Sequence, residues 1–140
     1  MITRRVLLFW LLVAMATVSP DPITVNVNMS CDEPGLFWCG NVFVYEEDHT
    51  FTHDPWYNGS FCTNSTKKNI AIGPLSPGGD MSPNFEVGLQ LTHNCSWDMM
   101  TRCYEPVVKD APTDGPVVVD FNITIANRGI ERECIHVTGK

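Results

Sequence analysis

The residues of this 140-residue sequence that could carry chemistry are few and clustered. His49 and His53, with Glu46, Glu47, Asp48 and Asp54, form the one dense ionisable cluster. Carboxylates are the hard donors calcium takes, and two imidazoles would add donors for a softer divalent ion. The Gly-punctuated ladder of alternating acids that a calcium loop needs is missing, so the cluster reads as a solvated loop and no metal is assigned. His93, in Thr92-His93-Asn94-Cys95, has the position of a general base. Alternation puts it on the face of Leu91, however, where a histidine is packed and hydrogen-bonded rather than reactive. His136 stands near the end of the chain, where order is least expected. No serine sits in a G-x-S-x-G elbow, so no nucleophile is marked. No catalytic residue and no cofactor are expected.

The thiols have a different use. Cys31, Cys39, Cys62, Cys95, Cys103 and Cys134 show none of the C-x2-C pairs of a zinc site, and their even number in an exported chain predicts three disulfides. Sequence alone leaves the connectivity open. Export is predicted by Arg4 and Arg5, the apolar run Val6 to Val13 and the small-x-small site Ala14-Met15-Ala16, which together make residues 1–16 a signal peptide cleaved after Ala16. Pro20, Asp21 and Pro22 interrupt the stretch before the roughly 20 apolar residues of a membrane span, so no transmembrane anchor is expected. Residues 17–140 then form a single domain. Losing Arg4 and Arg5 leaves seven basic against sixteen acidic residues, a balance of -9 that argues against nucleic acid and against unspecific attraction to anionic membranes. Asn28, Asn58, Asn64, Asn94 and Asn122 each open an N-x-S/T sequon, which predicts a glycoprotein with those asparagines at the surface.

What positions these residues is written as a period of two. Ile23, Val25, Val27 and Met29, then Phe85, Val87, Leu89 and Leu91, then Val119, Phe121, Ile123 and Ile125 alternate with polar or small residues. Each such segment offers one wet and one buried face. Shorter strands are predicted at Asn41 to Glu46, Ser60 to Thr63, Asn69 to Ile72 and Tyr104 to Lys109. Turns are predicted at Glu33-Pro34-Gly35, Asn58-Gly59, Ser76-Pro77-Gly78-Gly79, Ala111-Pro112 and Asp114-Gly115-Pro116. The stretch Ser96 to Arg102 holds no Gly or Pro and is the best place for a turn or two of helix. Short strands at this spacing predict an all-β antiparallel sandwich of immunoglobulin, fibronectin or transthyretin type.

The cysteine contexts narrow that choice. Ile23-Thr24-Val25-Asn26-Val27-Asn28-Met29-Ser30-Cys31 resembles the opening strand and first cysteine of the nematode transthyretin-like family, and Phe43-Val44-Tyr45-Glu46-Glu47-Asp48 resembles its second strand. Asn58-Gly59-Ser60-Phe61 resembles its Asp-Gly-x-Phe turn, Leu91-Thr92-His93-Asn94-Cys95 its apolar-Tyr-His-Asp-Cys motif, and Gly129-Ile130-Glu131-Arg132-Glu133-Cys134-Ile135 its closing motif. Cys39 and Cys62 are additional to that family's four cysteines, Ser65 to Pro83 is longer than expected, and Thr92 stands where Tyr is usual. The resemblance implies a transthyretin-like sandwich in which Cys31 pairs with Cys134 and Cys95 with Cys103, leaving Cys39 with Cys62. The related hydroxyisourate hydrolases close with Tyr-Arg-Gly-Ser, whereas this chain ends Val137-Thr138-Gly139-Lys140.

The expected function is that of a secreted, extracellular, non-catalytic binding or adaptor protein that presents its loops to a cell-surface protein or receptor. The resemblance adds phospholipid head groups as a partner class. Phe37-Trp38, Trp56-Tyr57 and Trp97 lie beside turns, where a ring either caps the core or anchors an interface. His49, His53, Trp56 and Tyr57 are the interface candidates. The alternatives are a small secreted hydrolase using His93 or the His49/His53 cluster, and a carrier of a small apolar ligand in a dimer groove.

Overall fold

The structure, a computed structural model, describes residues 22–47, 53–76 and 83–136. Eight strands follow one another: β1 (Ile23–Ser30), β2 (Trp38–Glu47), β3 (His53–Thr63), β4 (Lys67–Leu75), β5 (Asn84–His93), β6 (Arg102–Tyr104), β7 (Lys109–Pro112) and β8 (Val117–Thr124). They build a three-stranded sheet in the order β4-β1-β8 and a five-stranded sheet in the order β3-β2-β5-β6, with β7 also on β5. The inward alternates of β1 and β8 meet those of β2 and β5, so Val25, Val27, Val119 and Phe121 share one core with Trp38, Val44, Leu89 and Leu91. The long alternating segments are therefore strands that turn their apolar series inward; β1 and β8 leave the other face wetter, whereas in β5 the outward Gly88 and Gln90 are buried as well.

Five expectations about the strands and turns need correction. The sandwich is not wholly antiparallel, because β1 runs parallel to β8 from Ile23 beside Val117 to Ser30 beside Thr124. Asn58-Gly59 is no turn: it lies inside β3, with Gly59 opposite Val42, and the chain reverses instead at residues 64–66. Ser96 to Arg102 forms a tight turn rather than a helix, and Ala111-Pro112 ends β7. The strand expected over Tyr104 to Lys109 is split into β6 and β7 by four unpaired residues, 105–108.

The disulfides are Cys31–Cys95, Cys39–Cys62 and Cys103–Cys134. The pairings Cys31–Cys134 and Cys95–Cys103 implied by the resemblance are wrong, and side-chain parity explains why. Cys31 continues the inward series Val27, Met29, and both it and Cys95 are fully buried between the sheets. Cys103 sits opposite Thr92, whose side chain points to the outer face of the five-stranded sheet. One residue of register separates inside from outside, so Cys95 and Cys103 cannot meet although they are close in sequence. Cys39 faces Cys62 directly across β2 and β3.

The outer face of the five-stranded sheet is itself covered. After β8 the chain crosses to β6, where Ile130 forms an antiparallel bridge with Cys103. Gly129 makes this approach possible: its φ is +99°, and a β-carbon there would strike the Cys103 carbonyl. Residues 130–136 then run as a strap over β5, tied by the Cys103–Cys134 disulfide and by the Cys134 amide donating to Thr92 Oγ1 at 3.0 Å. Beneath the strap Val42, Phe43, Val44, Tyr45 and Glu46 are all buried, so the middle of β2 is covered on both faces.

On the other sheet the outer face is a polar ladder. Asn26 Nδ2 donates to Asp120 Oδ1, Asn28 Nδ2 to Asn122 Oδ1, both at 2.9 Å, and Ser30 Oγ to Thr124 Oγ1 at 3.2 Å. The open edge of β8 is blunted by Lys109, whose ammonium donates to the Asp120 carbonyl at 2.6 Å.

Candidate functional site

Two surfaces have enough definition to act. The first is the loop end of the sandwich beside the Cys31–Cys95 disulfide. The Cys39 amide donates to Asn94 Oδ1 at 2.7 Å, the Asn127 amide to the Cys95 carbonyl at 3.0 Å, and the Trp97 amide to Asn127 Oδ1 at 3.0 Å. Asn127 Nδ2 in turn donates to Glu33 Oε1 at 2.8 Å, which joins the three loops that follow β1, β5 and β8. Within the second loop Ser96 Oγ donates to Asp98 Oδ1 at 2.6 Å, and the Met100 amide also donates to that oxygen at 3.1 Å. These bonds, with the Arg102 guanidinium 2.8 Å from Asp98, hold that carboxyl below its ordinary range. Met99 is forced to φ +57°, a conformation non-glycine residues avoid. This firm loop end projects large apolar side chains into solvent: Trp97 is 77% exposed, Ile130 65% and Phe37 60%, with Met99 and Met100 also exposed. Tryptophan, phenylalanine and methionine are the residues enriched at protein interfaces.

The second surface is the outer face of the five-stranded sheet. Its rings form a row: His53 lies 4.2 Å from Tyr45, Tyr45 5.6 Å from Phe43, and Phe43 4.2 Å from His136, all between centroids. His136 Nδ1 and Gln90 Oε1 are 2.8 Å apart, and Gln90 Nε2 donates to Glu105 Oε1 at 2.9 Å. Burial lowers the His136 pKa, and burial followed by the charges of Glu47 and Glu105 raises that of Tyr45. Beside this row a groove of about 540 Å³ opens between Asn41, Ser60, the Cys39–Cys62 disulfide, Thr92 and Glu133.

Among the described residues, the interface candidates His53, Trp56 and Tyr57 do not come together as one site. Trp56 and Tyr57 are half-buried strand residues of β3 packed against the core, Trp56 edge-on to Phe85 at 5.8 Å. His53 is in the ring row, its Nδ1 buried without a hydrogen-bond partner. His49 and Asp48 lie outside the described residues, as do the signal peptide and Val137 to Lys140. His93 is 1% exposed. Its Nδ1 accepts from the Cys95 amide at 3.2 Å, and its Nε2 has no hydrogen-bond partner. Burial drives its pKa down to about 4, opposed by the Arg128 carbonyl and aided by the Arg102 charge. The imidazole is thus a packed, neutral side chain with almost no exposed surface. Among the described residues the one close set of metal-ligating types is Cys103, Glu105 and Cys134, whose two sulfurs are spent on a disulfide.

Of the sequon asparagines, Asn58, Asn64 and Asn122 are exposed, while Asn28 and Asn94 are half-buried. Trp97 was visible in the sequence as a ring beside a turn. Its companions Met99, Met100 and Ile130 were not, because no period marks a loop. A family model described as "Caenorhabditis elegans protein of unknown function (DUF870)" matches residues 26–137. No curated protein and no solved structure matches this chain.

Proposed function

The chain belongs to the DUF870 family of Caenorhabditis elegans proteins of unknown function, and we propose that it is a secreted, non-catalytic binding or adaptor protein whose loop end docks on an extracellular protein at a cell surface. The observation that carries this reading is the exposed set Phe37, Trp97, Met99, Met100 and Ile130 on loops fastened by the Cys31–Cys95 disulfide and by Asn127. A rigid loop end loses little conformational freedom on docking, and a projecting indole is a typical hot spot. Secretion after cleavage at Ala16 and use of the exposed sequons are part of the proposal. The three disulfides support an oxidising destination. No helix among the described residues is long and apolar enough to cross a membrane. A transthyretin-like sandwich is the finer fold reading, supported by two packed sheets in which the first and last strands are neighbours.

The test is direct. Expressed with its leader in a eukaryotic cell, the protein should enter the medium, begin near Thr17 and lose apparent mass in steps on deglycosylation. Crosslinking in extracellular fluid should recover a discrete partner, and a Trp97→Ser, Met100→Ser variant should recover at least about tenfold less, a loss of roughly 1.4 kcal/mol or more. Equal recovery by wild type and variant would remove the loop end from the proposal.

A further inference from the structure

We infer that the groove on the outer face of the five-stranded sheet is a saccharide site. Its polar groups are already committed in a way that sets what they can still offer. Asn41 Nδ2 donates to both Asn58 Oδ1 and Ser60 Oγ at 2.9 Å, so both of its N–H groups are in use and its oxygen remains as an acceptor. Ser60 Oγ accepts from Asn41, and Thr92 Oγ1 accepts from the Cys134 amide, which leaves each hydroxyl hydrogen to donate outward. The exposed Thr101 and the Glu133 carboxylate, on the strap, complete the rim. No lysine or arginine lines the groove and the Glu133 carboxylate stands at its rim, so its charge disfavours a phosphate or carboxylate. Fixed donors interleaved with acceptors suit a ligand whose groups both donate and accept, which is the property of vicinal hydroxyls. The Cys39–Cys62 disulfide, whose Cys62 is exposed, supplies the apolar patch on which the C–H face of a sugar ring rests. The volume, about 540 Å³, falls in the range of small-molecule sites.

Such a ligand has two sources. Asn58 opens the sequon Asn58-Gly59-Ser60 at the groove margin, and the Asn41 bond engages its Oδ1 rather than Nδ2, the atom on which a glycan is built. The first sugars of an attached glycan would therefore start beside the groove. The other source is a saccharide of a different molecule. The attached source rests on the proposal of secretion; the free source does not.

Two arms separate them. In protein secreted from eukaryotic cells, the Asn58 glycan should resist peptide N-glycosidase under native conditions, and Glu133→Gln or Thr101→Val, both exposed and outside the core, should speed its release about tenfold. In protein made without glycans and carrying Asn58→Gln, methyl β-N-acetylglucosaminide should shift the NMR signals of Asn41, Ser60 and Thr92, and Glu133→Gln should weaken binding about fivefold. A positive first arm assigns the groove to the protein's own glycan, and a positive second arm to free saccharide. Silence in both arms overturns the inference, as does a larger shift of the same signals by choline, which would mark the groove as a cation site.

Discussion

The imidazole of His136 lies over the ring of Phe43, with centroids 4.2 Å apart and planes inclined by 31°. It joins a residue near the end of the chain to the middle of β2, and it gives an apolar outer face the cover that a sandwich strand would otherwise lack. The strap is fastened by one covalent bond, Cys103–Cys134, closing 31 residues. In the chain-entropy model that closure stabilises by roughly 3 to 4 kcal/mol. A Cys103→Ser, Cys134→Ser variant should keep its β-sheet circular dichroism, lose about that much stability in urea, and show faster tryptic cleavage after Arg132. Unchanged cleavage would mean that the strap holds without the disulfide.

Gly129 is the second fastening. At φ +99°, and with the Cys103 carbonyl against the position of a β-carbon, Gly129→Ala should cost roughly 2 to 3 kcal/mol. Gly35, also at positive φ but with open space around it, is the control, and Gly35→Ala should cost about 1 kcal/mol. Equal midpoints for the two variants would place the tail elsewhere.

Acid should weaken the fold through His93. Its folded pKa of about 4 lies below the ordinary 6.5, so the folded state binds fewer protons than the unfolded chain. The stability this neutral imidazole contributes is present above pH 6.5 and falls as the pH drops toward 4, by about 3 kcal/mol across that window. His136, also lowered by burial, adds in the same direction. Urea midpoints at pH 7.5, 5.5 and 4.5 should decline accordingly, and His93→Leu, less stable at neutral pH because the Cys95 amide loses its acceptor, should show a flatter decline. A slope identical to wild type would show that His93 is solvated.

The three disulfides should open in order of access. Cys62 is exposed, whereas Cys31, Cys95, Cys103 and Cys134 are buried. Brief treatment with dithiothreitol, then alkylation and peptide mapping, should label Cys39 and Cys62 first and Cys31 and Cys95 last. The same map without reductant should return the pairs Cys31–Cys95, Cys39–Cys62 and Cys103–Cys134 and no free thiol.

Much of this architecture was legible because a half-buried strand must alternate. Ile23 to Met29 and Phe85 to Leu91 could be placed by counting, and each has its inward series in the core. Cys31 could have been placed by the same count, since it extends the inward series of β1, but the pairing of Cys95 with Cys103 comes from the resemblance, and parity contradicts it. The strap carried a signal of another kind: Val42-Phe43-Val44-Tyr45 is an unbroken apolar run, which a strand with one wet face does not need. What covers its second face lies some 90 residues away and follows no period, so no local pattern announces it. Asn58-Gly59 read as a turn because that dipeptide favours one. In β3 it lies at an edge, where Tyr57 folds over Gly59, and pairing with β2 overrides the local preference. The loop end depends on Asn127 reaching Trp97 and Glu33, contacts between segments that are far apart in the chain.

The parallel pairing of β1 with β8 has a consequence for how the molecule comes into being. Its first strand is the centre of the three-stranded sheet, and one flank of that strand is the last to be synthesised. Emerging from the ribosome, β1 can find β4 early, but the inward side chains of β8 are missing from the core until 94 further residues have been made. Contacts so distant along the chain are slow to form, and exposed edges invite wrong partners in the meantime. The nascent chain must therefore carry β1 with one flank of its sheet unfilled until β8 has followed it.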